Sequence, residues 1–110
     1  MDLKEIRATI DQIDQKLLTL FEERMRAVSE VANYKKENHL PIFHPEREKQ
    51  VIQNMKQRAS VPMQEYAELF FTNLMETSKC YQLSILNPAF EIPFQDGCVL
   101  QSASVACKGN

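Results

Sequence analysis

A set of polar side chains in this sequence falls where the surrounding pattern calls for apolar ones. They are Arg24, the adjacent Arg47 and Glu48, Ser78 and Gln82. Arg24 occupies a seam whose other members, Leu3, Ile6, Ile10, Ile13, Leu17, Leu20, Ala27, Val31 and Tyr34, recur in steps of three and four. A guanidinium at such a position costs several kcal/mol of desolvation unless an anion or acceptor meets it. Lys35 follows after close to three full helical turns, so it points the same way, ~16 Å along the axis. Two long cationic side chains leaning towards each other are suited to bracket a small dianion. Each residue alone has an ordinary explanation. A seam arginine can set register or snorkel. Arg47 and Glu48 can form a capping or surface ion pair, Ser78 can be a small residue in a helix contact, and Gln82 a surface amide. As a group they are inward donors with few carboxylates beyond Glu48 to satisfy them, and buried donors need acceptors. A bound anionic ligand would supply those acceptors. Arg7 flanks the same seam but lies ~25 Å from Arg24 along one helix. Within one chain it is a solvated surface charge. From an antiparallel partner chain it would reach the site.

These residues need helices to position them. The seam runs without Gly or Pro from Asp2 to about Asn38, which predicts a first helix ~55 Å long. Asp2 and Glu5 read as a capping box. Leu40-Pro41-Ile42-Phe43 is a short connection, because Pro41 disfavours helical geometry at Leu40. Pro45 suits the first position of a second helix, and Glu46 and Glu48 suit its positive end. That helix reaches about Arg58, with a thin apolar face of Val51, Ile52 and Met55. Stepping that face back by three and four reaches Arg47 and Glu48. Ser60 reads as the N-cap of a third helix ending near Leu86, with a stripe of Tyr66, Leu69, Phe70, Leu74, Tyr81 and Ile85. Ser78 and Gln82 lie four apart on this stripe. Beyond Asn87 the breakers Pro88, Pro93 and Asp96-Gly97 mark residues 87–110 as a poorly ordered tail or linker.

Composition narrows the classes. A chain of 110 residues with 44% hydrophobic and 25% charged residues fits one globular domain. Both glycines, Gly97 and Gly109, lie in the tail, which favours an all-helical body. The net charge of -2 gives no reason to expect nucleic acid or an anionic membrane as partner. No apolar run is long enough to span a bilayer, and nothing resembles a signal peptide. Cys80, Cys98 and Cys107 are an odd set without metal-type spacing, as expected of a reduced, cytoplasmic protein. His39 and His44 lack the company a zinc site needs. No arrangement for covalent catalysis and no phosphate loop is present. A compact monomer of this size has a radius of gyration near ~13 Å. The first helix overshoots such a globule, so a homodimer with paired long helices is expected.

The ordered set now resembles a known family. Ile6-Arg7, Ile10-Asp11-Gln12-Ile13-Asp14, Leu17-Leu18, Glu23-Arg24, Val31-Ala32 and Lys35 resemble the first helix of the all-helical (AroQ-type) chorismate mutases. Pro45-Glu46-Arg47-Glu48 resembles the start of that family's second helix. Ser78-Lys79-Cys80-Tyr81-Gln82 resembles the part of its third helix that carries a Ser and a Gln four apart. The resemblance covers roughly residues 2–86, and so a mutase-like domain over 1–86. It implies three helices per chain, intertwined into a homodimer in which each site takes an arginine, here Arg7, from the other subunit. The implied reaction is the unimolecular rearrangement of chorismate to prephenate in phenylalanine and tyrosine biosynthesis, with no metal or cofactor. It also implies roles. Arg24 and the partner's Arg7 bind carboxylates, Lys35 and Gln82 donate to the ether oxygen, and Glu48 accepts from the ring hydroxyl. Arg47 orients or assists, and Ser78 hydrogen-bonds a carboxylate. The family often has an acidic residue just before the second helix. Here the position is His44, which stays among the substrate-binding candidates. Ser104-Val105-Ala106-Cys107 with Lys108-Gly109 resembles the opening strand of a prephenate dehydratase domain, to which some mutases are fused.

Two rivals keep the fold and change the function. One is a non-catalytic helical dimerisation or regulatory module. The other is a lyase acting on isochorismate. The joint presence of Arg7, Arg24, Lys35, Glu48 and Gln82 favours the mutase.

Overall fold

The computed structural model describes residues 1–92, and the expected tail beyond Ile92, with Cys98 and Cys107, lies outside the described residues. Among them the chain is all-α. Helix α1 spans Leu3–Glu37, α2 spans Pro45–Arg58 and α3 spans Gln64–Leu86, with a single 3-10 turn at Val61–Met63 before α3.

Each boundary has a local cause. Asp2 accepts the Glu5 amide proton at 2.9 Å and so caps α1. The other end of α1 is a Schellman motif: Leu40 N–H donates to the Lys35 carbonyl at 2.8 Å and His39 N–H to the Lys36 carbonyl at 3.3 Å. That motif requires a left-handed residue, and His39 supplies it at φ 56° in place of the usual glycine. Pro45 opens α2, and the His44 ring caps it by accepting the Arg47 amide proton on Nδ1 at 3.1 Å. The expectation that Ser60 caps α3 is corrected. Ser60 precedes the 3-10 turn and makes no side-chain cap there, because Pro62 and Met63 take up a tighter turn before the α-helix begins at Gln64. After α3 the chain turns once more, with Phe90 N–H donating to the Asn87 carbonyl at 2.8 Å.

Helix α3 is the central element and packs against both α1 and α2. Little is enclosed. Among the described residues, Ala32, Met75 and Ser78 are the buried ones, at 0%, 7% and 5% exposure. The apolar seam in the first five turns of α1 is uncovered within the chain, with Ile10, Ile13 and Leu17 each nearly half exposed. Tyr66, Leu69 and Phe70 at the start of α3 are likewise exposed. The described residues measure 54 × 31 × 28 Å with a radius of gyration of 16.2 Å. A compact chain of this length would be near ~13 Å, and the excess is the projecting α1.

The His39 conformation is testable. A left-handed non-glycine residue costs roughly 1–2 kcal/mol, partly offset by the greater freedom glycine loses on folding. His39→Gly should therefore raise stability by about 0.5–1 kcal/mol in urea unfolding.

Candidate active site

One cavity of about 270 Å³ opens where the three helices meet. Helix α1 contributes Arg24, Ala27, Val28, Val31 and Lys35 from one stripe. The connection contributes Ile42 and His44, and the first turns of α2 add Arg47, Glu48 and Val51. Helix α3 supplies Met75, Ser78, Lys79 and Gln82, again spaced by three and four. The fold thus brings together Arg24, Lys35, His44, Arg47, Glu48, Ser78 and Gln82, all of which sequence reasoning singled out. Arg7 does not line this cavity.

Arg24 is half-buried and reaches across to α3. One guanidinium nitrogen donates to Ser78 Oγ and the other lies 3.9 Å from Met75 Sδ. Ser78 Oγ donates its own proton to the Leu74 carbonyl at 2.9 Å. The Ser78 hydroxyl therefore orients Arg24, and its single proton is used within α3. Burial lowers the Arg24 pKa from its ordinary value, and the positive charge of Arg47 lowers it further. The first is the cost of removing a charge from water and the second is repulsion between like charges, and no carboxylate pairs with Arg24 to offset either. An anion entering the cavity relieves both.

Lys35 bridges the connection and α3. Its Nζ donates to the Ile42 carbonyl at 3.0 Å and to Gln82 Oε1 at 3.4 Å. Since the Gln82 oxygen is turned to Lys35, its NH2 group makes no hydrogen bond among the described residues and remains a donor for a ligand. Arg47 donates from Nη1 to Gln50 Oε1 at 3.2 Å. With Nδ1 of His44 accepting from the backbone, the proton of its neutral ring sits on Nε2.

Sequence reasoning missed Lys79. It lies between Ser78 and Gln82 on the same face, and stepping back three from Gln82 would have found it. The lining includes the cations Arg24, Lys35, Arg47 and Lys79 against the single carboxylate of Glu48. Such a wall has the chemistry to attract an anion, offers fork-shaped donors to carboxylates, and keeps one acceptor for a hydroxyl. Among the described residues no group of His, Cys, Asp and Glu is arranged to hold a metal ion, and no helix is long and apolar enough to cross a membrane.

Fold and site together define an all-α three-helix protein with a cationic cavity for a small anion. Residues 6–83 match the family described as chorismate mutase type II, and the chain belongs to that family. It is 43% identical over 51 residues to the T-protein of Haemophilus influenzae, covering 46% of this chain and 14% of that protein. It is 31% identical to the bifunctional chorismate mutase/prephenate dehydratase of Pseudomonas aeruginosa, covering 98% of this chain and 30% of that one. With the chorismate mutase of Methanocaldococcus jannaschii it shares 43% identity over 54 residues, 49% of this chain and 54% of that one. The chain therefore spans from about a seventh to about half the length of these relatives. No solved structure matches it significantly.

The burial of Arg24 carries a prediction. Arg24→Ala removes a partly desolvated charge and introduces the best helix former. Helical circular dichroism and unfolding midpoint should be unchanged or higher, while affinity for a small dicarboxylate measured by calorimetry falls at least about tenfold, as for loss of a charge-assisted hydrogen bond.

Proposed function

We propose that this chain catalyses the rearrangement of chorismate to prephenate, as an intertwined homodimer with two shared sites. One observation carries the reading: a single cavity gathers Arg24, Lys35, Glu48 and Gln82, the cations, acceptor and amide donor that this substrate needs. Chorismate carries two carboxylates, an ether oxygen and a ring hydroxyl. The reaction requires the diaxial conformer in which the ends of the rearranging system meet, and fixed contacts at both carboxylates select it. Arg24, held by Ser78, takes one carboxylate. Arg7 of the partner subunit takes the other. As the ether C–O bond breaks, negative charge grows on its oxygen. Lys35 Nζ and the Gln82 NH2 group, on side chains already joined through Gln82 Oε1, supply donors preset for that charge. Glu48 accepts from the ring hydroxyl, Arg47 beside it orients or assists, and His44 lines the same cavity.

The dimer is supported by the uncovered seam of α1. Leu3, Ile6, Ile10, Ile13, Leu17 and Leu20 are exposed in the single chain, and an apolar stripe this long is covered by a partner helix in stable proteins. An antiparallel pairing of two α1 helices brings Arg7 of one chain towards Arg24 of the other.

The direct experiment is to incubate the purified protein with chorismate and identify the product. Prephenate supports the mutase. No turnover, or release of pyruvate from isochorismate alone, removes it in favour of the helical module or the lyase.

Two further outcomes follow. Gln82→Glu replaces a donor that works at any pH by one that donates only when protonated. Its activity should fall steeply as pH rises, against a flat wild-type profile in the same assay. Arg7→Ala and Arg24→Ala homodimers should each be nearly inactive. Unfolded together in equal amounts and refolded, about half the dimers are mixed, and each mixed dimer has one site with both arginines. Activity should recover to about a quarter of wild type. Refolded mixtures that stay inactive, although mass spectrometry detects mixed dimers, would rule out shared sites.

A further inference from the structure

The mechanism above leaves one cavity cation without a role. Lys79 projects from α3 between Ser78 and Gln82, and its ammonium is held on three sides. Glu76 Oε2, one turn earlier on α3, lies at 3.2 Å. Glu48 Oε2, on the first turn of α2, lies at 3.8 Å. The ring of Phe43, in the connection between α1 and α2, lies 4.5 Å from Nζ to its centroid. A cation this close to an aromatic face is attracted by its quadrupole. The side chains of Lys79 and Glu48 are each only 23% exposed, so solvent screens their interaction less than that of a surface pair.

Lys79 differs from the other cations here. Arg24 and Lys35 meet neutral acceptors, a hydroxyl, a thioether, a carbonyl and an amide, so their charge is free to meet a ligand. The charge of Lys79 is already met by two carboxylates and a ring. It is badly placed to take a ligand carboxylate and well placed to act on Glu48. Glu48 needs such help. It is a negative group in a site for a dianion, and the like charges repel at short range.

We propose that Lys79 is a positioning residue for the rearrangement. It fixes one oxygen of Glu48 so that the other faces the ligand hydroxyl, and it offsets the repulsion between Glu48 and the dianion. Glu76 and Phe43 hold the ammonium in place, so that it serves Glu48 without competing for the ligand. This inference rests on the mutase reading.

The test is a double-mutant cycle on chorismate turnover, with kcat and KM measured for wild type, Lys79→Met, Glu48→Gln and the double variant. Met keeps the length and helix propensity of Lys. Lys79→Met should lower kcat/KM about tenfold, the size of coupling between neighbouring residues, and in the Glu48→Gln background it should cost less than about twofold more. Lys79→Arg, which keeps the charge, should retain most of the activity. An equal loss in both backgrounds, with KM raised, would make Lys79 a direct ligand contact and overturn the proposal. Wild-type kinetics for Lys79→Met would also overturn it. If Lys79→Met lacks the helical circular-dichroism signal, the same cycle with Lys79→Gln decides between these outcomes. Absence of prephenate from the wild-type protein would instead overturn the mutase reading itself.

Discussion

The half-buried guanidinium of Arg24 is the constraint on which the rest of this molecule turns. It sits on a seam where every neighbour is apolar, and it reaches α3 through Ser78 and Met75. Neither partner is a carboxylate. Withdrawing a cation from water without a counterion is unfavourable, and burial lowers the Arg24 pKa, with the charge of Arg47 lowering it further. A stable fold with such a group has an unmet electrostatic need, which in the proposed reading a bound anion would meet. Stability of the empty chain and affinity for its ligand are set against each other at this residue.

Helix α3 makes the arrangement possible. It touches both other helices, and it carries hydroxyls that bond back to its own carbonyls, as at Thr72, Thr77 and Ser78. Ser78 is buried without an unsatisfied atom because its proton goes to Leu74 and its lone pair to Arg24. The same helix holds Gln82 against Lys35 and Lys79 against Glu48. The contacts with Arg24 and Lys35 join α3 to α1 and the contact with Glu48 joins it to α2, so the polar cavity lies across all three helices.

The two ends of α1 do different work. Its C-terminal half forms the cavity wall and is covered by α3. Its N-terminal half presents apolar residues to the outside. In the shared-site reading, that exposed half both buries hydrophobic surface against a second chain and delivers Arg7. Assembly and catalysis would then use one helix, and loss of pairing would cost both.

Much of this was legible in the sequence because the forces are local. The period of the apolar residues, Asp2 as a cap and Pro45 as a helix opener act over one or two turns, and they placed the helices to within a few residues. The same periodicity put Arg24 with Lys35 and Ser78 with Gln82. What periodicity cannot supply is how one helix is rotated and shifted against another. That relation decided that Lys35 meets the Ile42 carbonyl and Gln82, that Arg24 reaches Ser78, and that Glu48 faces Lys79 across the gap between α2 and α3. The missed cap has a related cause. Ser60 had the chemistry of a cap, yet a tighter turn through Pro62 and Met63 moved the start of α3 to Gln64, and at the end of α1 His39 takes a left-handed conformation that its residue type does not demand. Residue type weights a backbone state by about 1 kcal/mol, and tertiary contacts outweigh it.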